Sequence, residues 1–178
     1  MSDWRREILT YWFGLDPKQW WKSDASVDDE IRERFLRLWS EKRQLPVEAF
    51  LDDPLTALAA VILFDQFPRN MFRETAKQFA TDHIALAIAR SAVDREFDDR
   101  MQPQERGFLY MPFQHSEALA DQNRSVQLFT ALDDDYQLGF AKKHHDVIER
   151  FGRFPHRNAI LGRAPRPEEG AAGDVVPW

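Results

Sequence analysis

The chain has 178 residues and a mass of 21.0 kDa, the size of one domain that can bury a core without metals or disulfides. Its formal charge of −6 and pI near 5.4 argue against a broad nucleic-acid surface, because phosphate binding wants a net basic face. Cysteine is absent, which excludes a disulfide scaffold, thiol catalysis and thiolate metal sites. The longest apolar run, Ala57 to Phe64, falls far short of the ~20 residues of a membrane span, and the charged, aromatic first residues do not read as a signal peptide. The expectation is a soluble cytoplasmic protein without a membrane or nucleic-acid partner.

Helical periodicity dominates, with no alternating strand pattern. Asp3 caps a first helix carrying Trp4, Ile8, Tyr11 and Trp12, with Gly14 just past its end. Ser26 with Asp29 resembles a capping box ahead of Ile31, Phe35 and Leu38. Asp53-Pro54 opens a third helix, apolar on all sides and therefore central, which is expected to end before Pro68. Thr75 with Gln78 starts a fourth helix reaching about Asp94, and Ser116 caps a fifth. A sixth runs from Tyr136 to Phe151, where Gly152 stops it, and a short turn covers Asn158 to Leu161. The fold class is all-α, stacked antiparallel helix pairs forming a single helical domain over 1–163, with a Pro/Gly-rich tail at 164–178 expected to be disordered. The tryptophans at 4, 12, 20 and 21 read as core.

Three segments stand out because they carry more polar chemistry than packing requires. Phe64-Asp65-Gln66-Phe67-Pro68-Arg69-Asn70 is nearly repeated, 87 residues on, as Phe151-Gly152-Arg153-Phe154-Pro155-His156-Arg157-Asn158. Between them lies Tyr110-Met111-Pro112-Phe113-Gln114-His115-Ser116-Glu117. The first and last read as two rigid helix-end corners, too dissimilar in length for a repeat array.

These phrases resemble a bacterial family of unknown function, numbered 924, over nearly the whole chain from Trp12-Phe13-Gly14 to Arg163. The resemblance implies an all-helical fold similar to tetratricopeptide-like superhelices and leaves the function unassigned. It places the family's characteristic polar positions on Asp65, Gln66, Arg69, Asn70, His115, Ser116, Glu117, His144, Arg153, His156, Arg157 and Asn158. Gln114 stands where an acidic residue is more usual, His83 where a proline or small residue is expected, and the segment after Arg163 lacks the usual Ser/Thr step.

Each constellation has a bland reading beside its functional one. Arg69-Asn70 suits an anion clamp, yet the same residues satisfy helix-end carbonyls and turns elsewhere. His156, flanked by Arg153 and Arg157, offers proton exchange near neutrality, or belongs to a set of structural ion pairs. His115-Ser116-Glu117 contains the atoms of a hydrolytic triad, but sequence neighbours rarely face one another and no Gly-x-Ser-x-Gly elbow exists. His144 lies on an apolar helix stripe, where a hydrogen-bonded core role is common. No His-Glu-x-x-His or Glu-x-x-His pattern and no Gly-rich phosphate loop is present, so neither metal nor cofactor is expected. The leading expectation is a polar pocket for a small anionic ligand. His115 or His156 would be its catalytic, proton-transfer group, and Arg69, Asn70, Glu117, His144, Arg153, Arg157 and Asn158 would bind the ligand. The alternative is a tetratricopeptide-like module holding a peptide, with the polar motifs purely structural. Whether the protein is an enzyme stays open at this level.

Overall fold

The computed structural model describes residues 3–170. Every regular element within them is helical: α1 (Trp4–Gly14), α2 (Pro17–Trp21), α3 (Ala25–Lys42), α4 (Pro54–Val61), α5 (Phe67–Met71), α6 (Asp82–Asp94), α7 (Pro103–His115), α8 (Leu119–Ala131), α9 (Asp135–Phe151), α10 (Asn158–Leu161) and α11 (Pro167–Gly170). A π-helical turn, Ile62–Gln66, joins α4 to α5 without a break, and 3-10 turns occur at Val47–Phe50, Ala76–Phe79, Asp98–Arg100 and Pro155–Arg157.

Several helix ends obey short-range chemistry. The Asp3 and Asp53 carboxylates accept the backbone N–H groups of Arg5 and Thr56, satisfying donors that a helix start leaves orphaned. Asp134 caps α9 by accepting from Gln137, and Gly152 ends it at φ +68°, a conformation that penalises any side chain. Other ends differ from expectation. Gly14 is the last residue of α1, not the first beyond it. The cap of α3 is Asp24, which accepts from Ser26 and Val27, so the helix starts earlier than a Ser26 cap would allow. Thr75 and Gln78 organise only a 3-10 turn, in which Gln78 donates back to the Thr75 carbonyl, and α6 begins at Asp82.

Pro68, expected to end a helix, does not. Pro68 cannot donate to the Phe64 carbonyl four residues back, but that carbonyl accepts instead from the Thr81 hydroxyl at 2.7 Å. The same hydroxyl oxygen accepts from the Trp39 indole N–H at 3.1 Å. Phe67 reaches the Ile62 carbonyl, the longer ring of a π-turn, so the helix passes through to Met71. Pro112 likewise lies inside α7, which runs to His115. Ser116 therefore terminates α7 instead of capping α8; its hydroxyl donates to Asp121 at 2.6 Å and accepts from the Ala118 N–H.

The chain from Ala57 to Phe67 is the centre of the molecule, and its apolar side chains are essentially without solvent contact. Helices α1, α6 and α7 pack on α4, α3 packs on α5, and α7, α8 and α9 pack on one another. Trp12 lies in this core, in edge contact with Phe67 and Phe108 at 5.8 and 5.5 Å, as aromatic burial predicts. Trp21 does not: it is 54% exposed. Gly107 of α7 allows Gln137 of α9 to lie across it, since a Cβ there would sit 2.6 Å from the Gln137 amide oxygen. The segment expected to be disordered from 164 onward is folded as far as Gly170, because Glu169 is buried among Arg153, Asn158 and the Arg166 N–H; the rest of that tail lies outside the described residues.

Thr81→Val keeps the side-chain shape but leaves the Phe64 carbonyl and the Trp39 indole without partners. It is expected to lower stability by about 2–4 kcal/mol at unchanged denaturant slope, measured by urea unfolding.

Candidate functional site

The π-turn carries Asp65 and Gln66 at the heart of the fold. Asp65 is fully buried. One carboxylate oxygen is 2.7 Å from His115 Nδ1, at the end of α7, and the other accepts from the Gln66 amide at 2.5 Å. Arg69, one turn on, donates to the Asp65 carbonyl at 2.6 Å and grips Asp82 with both terminal nitrogens at 2.8 and 2.9 Å. Burial opposes a charge on Asp65, but His115 and Arg69 beside it, with the two hydrogen bonds, hold its pKa below the ordinary value. His115 is pushed down from its ordinary value by burial and then by Arg69, against the pull of Asp65. The result is an ionised Asp65 and a neutral imidazole. Since an ionised carboxylate only accepts, His115 Nδ1 carries the proton, and Nε2, which has no hydrogen-bond partner among the described residues, is left as a base.

His115 opens onto a cleft of about 380 Å³. Its walls include Gln66, Arg69, Asn70, Arg73, Gln114 and His144, with Trp20, Trp21, Lys22, Met111, Phe129, Tyr136, Gln137 and Phe140 completing the lining. Among the described residues three cations face it and no Asp or Glu does, in a chain whose net charge is −6. His144 is fixed by Nδ1, 2.8 Å from the Phe140 carbonyl, and burial drives its pKa down to about 2. Asn70 donates to Asp28 at 2.8 Å, and Arg73 bonds the same carboxylate through two nitrogens.

The structure thus gathers His115, His144, Arg69 and Asn70 around one cleft and sends the other candidates elsewhere. Glu117 accepts from Arg163 at 2.8 and 3.0 Å and from the Phe154 N–H at 2.7 Å; burial opposes its charge, but Arg163 holds its pKa low. Arg153 pairs with Glu169, and Asn158 links Glu169 to Arg163. These three residues tie the C-terminal segment to the helical body and do not line the cleft. The His156 ring lies 5.6 Å from that of Phe154 and tilted by 46° to it, with its pKa lowered to about 4 by burial and then by Arg157. Arg157 is buried between the rings of Phe79 and Phe154, 4.6 and 4.5 Å from their centroids, and its Nε has no hydrogen-bond partner among the described residues. Burial, with Arg69 as the nearest like charge, lowers its pKa to about 10. Ser116 bonds Asp121, which Arg90 also holds, so no triad forms with His115 and Glu117.

The two similar phrases therefore do not make matching corners. The first lies inside a continuous helix, and the second is a helix stop followed by a 3-10 turn. Phe79 lies beside both, its ring 5.6 Å from the Arg69 guanidinium and 4.6 Å from that of Arg157. Asp82, Asp28, Arg73, Lys22, Trp21, Tyr136 and Gln137 were not singled out as site residues by sequence; charge pairing and cleft walls are set by tertiary contact, and no local signal marks them. Among the described residues, the ligand-rich group dense enough for a cation is His145, Asp146 and Glu149 on α9, with both carboxylates exposed and none of the three in the cleft wall.

A histidine that stays neutral when folded but protonates near its ordinary pKa of 6.5 when unfolded makes the unfolded chain bind more protons below that pH. His144 alone should cost roughly 2 kcal/mol of stability between pH 7 and pH 5. Chemical unfolding at both pH values is expected to show this loss, reduced by about that amount in His144→Phe.

A family model described as a bacterial protein of unknown function, DUF924, matches residues 8–172. Among curated proteins none matches. The chain is similar to a solved structure, the protein of unknown function ATU0120 from Agrobacterium tumefaciens, at 37% identity over 96% of each chain with a TM-score of 0.90. With nearly its whole length matched in sequence and fold, the chain belongs to the DUF924 family of bacterial proteins of unknown function.

Proposed function

We propose that this cleft binds a small anionic molecule and that the Asp65–His115 pair exchanges a proton with it, in a cytoplasmic setting. The observation that carries the reading is the fully buried Asp65 carboxylate, set on a π-turn and bonded to an imidazole whose other nitrogen is unpartnered among the described residues. Burying a charge in the central helix works against folding, and π-turns gather at functional sites. A carboxylate that orients a histidine and fixes its tautomer is the arrangement general-base catalysis uses. Lys22, Arg73 and Arg69, on walls that hold no carboxylate among the described residues, favour an anion over a cation. Lys22, without a salt-bridge partner among the described residues, is the clamp's open cation, and Arg69 and Arg73, already held by Asp82 and Asp28, add to the local positive potential with Arg157 at longer range.

The peptide-binding reading, with a tetratricopeptide-like superhelix presenting a concave surface, is less well supported. Trp21 and Tyr136 are exposed and could contact a partner, but both border a cleft sized for a small molecule, not for a helix or strand.

A thermal-shift screen with phosphorylated and carboxylated metabolites tests the reading. Hits are expected among anions, and Lys22→Glu, a change at an exposed rim position, should abolish most of the shift. Equal shifts from neutral and anionic compounds, or full retention in Lys22→Glu, would contradict it. For a hit that is turned over, His115→Gln should lower the rate by about 10²–10⁴ with binding retained. Because the pKa of His115 is depressed, the rate should hold at pH 6.5 and fall only on further acidification, as the base becomes protonated.

A further inference from the structure

Four carboxamides line the cleft, and three of them are more than nine-tenths buried, Gln66 and Gln114 at 7% exposure and Asn70 at 8%; the fourth, Gln137, is half-buried and donates to Asp134. Their hydrogen bonds are unevenly distributed. Gln66 donates its amide nitrogen to Asp65 at 2.5 Å and to the Met111 sulfur at 3.3 Å. Asn70 donates to Asp28 at 2.8 Å. Because a carboxylate accepts only, these contacts fix the orientation of both amides and leave their carbonyl oxygens without a donor among the described residues. Gln114 goes further: neither its side-chain nitrogen nor its oxygen has a partner among the described residues, and only its backbone carbonyl is used, by Gln122.

The unpartnered oxygens of Gln66 and Asn70 and both side-chain polar atoms of Gln114 keep solvent contact, so they face the cleft and not a sealed core. A ligand that displaces water from them must replace its hydrogen bonds, and together they form a polar lining open to such a ligand. Its pattern is specific: two acceptors, from Gln66 and Asn70, and one group, Gln114, that both donates and accepts. A primary carboxamide or ureido group is complementary to it, with two N–H donors and one C=O acceptor in a plane. A carboxylate or phosphate group is not, because it would set its lone pairs against the Gln66 and Asn70 oxygens. The anion must therefore occupy a different part of the cleft from the carboxamides, and Lys22, an exposed cation at the wall, supplies that part. The aromatic walls from Trp21, Tyr136 and Phe140 suit a flat connecting group.

We infer that the ligand is bipartite, a small anion that also carries a primary carboxamide or ureido group, read by Gln66, Asn70 and Gln114. This inference rests on the anion-binding reading of the same cleft and adds the second half of the molecule to it. Gln114 is then the residue that sets specificity.

Matched compounds separate the two parts: 3- and 4-carbamoylbenzoate carry both groups, benzoate only the anion, benzamide only the amide. Isothermal titration of the wild-type protein should show at least one carbamoylbenzoate binding about tenfold tighter than benzoate, and benzamide weaker than that carbamoylbenzoate. Gln114→Met, which removes no hydrogen bond made within the described residues and should fold, should erase the tenfold difference and leave benzoate within twofold. Carbamoylbenzoates equal to benzoate, or an advantage that survives in Gln114→Met, would overturn the amide-reading inference while leaving an anion site standing. Binding of benzamide alone, unaffected by Lys22→Glu, would instead remove the anion half and the inference with it. If none of the four compounds binds, both readings fail.

Discussion

A carboxylate with no access to water sits in the middle of the most apolar helix of the chain, and the surroundings of Asp65 are built around that fact. The charge is tolerable only because Arg69, His115 and Gln66 converge on it, and each of these is placed by a different feature. The π-turn sets Asp65 and Gln66, the following turn of helix sets Arg69, and the run of α7 through Pro112 brings His115 to the same point. Remove the turn and the partners no longer meet. Breaking one buried ionic contact leaves an uncompensated charge, which is far more damaging than never having buried the pair.

The electrostatic consequence is a division of labour between carboxylates and cations. Asp82, Asp28, Glu117 and Glu169 are drawn into ion pairs with Arg69, Arg73, Arg163 and Arg153, outside the cleft wall. The wall itself keeps Lys22, the already paired Arg69 and Arg73, neutral histidines and amides. An acidic protein thus presents a locally positive and hydrogen-bonding recess. Arg157, buried between two aromatic rings with no counter-ion in contact among the described residues, strengthens the same bias and helps keep the neighbouring imidazoles neutral.

Part of this was legible in the sequence because it depends on near neighbours. Asp53-Pro54 marks a helix start and Gly152 a stop through rules that act within a few residues, and both hold. His115, Arg69 and Asn70 were recognisable because residues of that chemistry stand next to aromatic-proline steps, and His144 because it lies on the apolar stripe of its helix. Pro68 was misread, since whether proline ends a helix depends on another donor for the stranded carbonyl, and Thr81 supplies it from a later segment. Ser116 was misread for a related reason: its neighbours fit a cap, but the preceding helix runs through a proline to reach it. The similarity of the two Phe-Pro phrases concealed opposite uses, one inside a helix beside the cleft and one in a structural clasp around Glu169. Which carboxylate each arginine meets, and which aromatic faces remain open, are properties of the packed chain and have no counterpart in spacing.

The state of the His115 ring bears most directly on all of this. Nitrogen-15 NMR of the imidazole at pH 7 should find a neutral ring with the proton on Nδ1 and an unprotonated, pyridine-like Nε2, and Asp65→Asn should disturb that tautomer. A ring protonated on both nitrogens at pH 7, or a neutral ring with its proton on Nε2, would contradict the Asp65–His115 pair as the centre of the site.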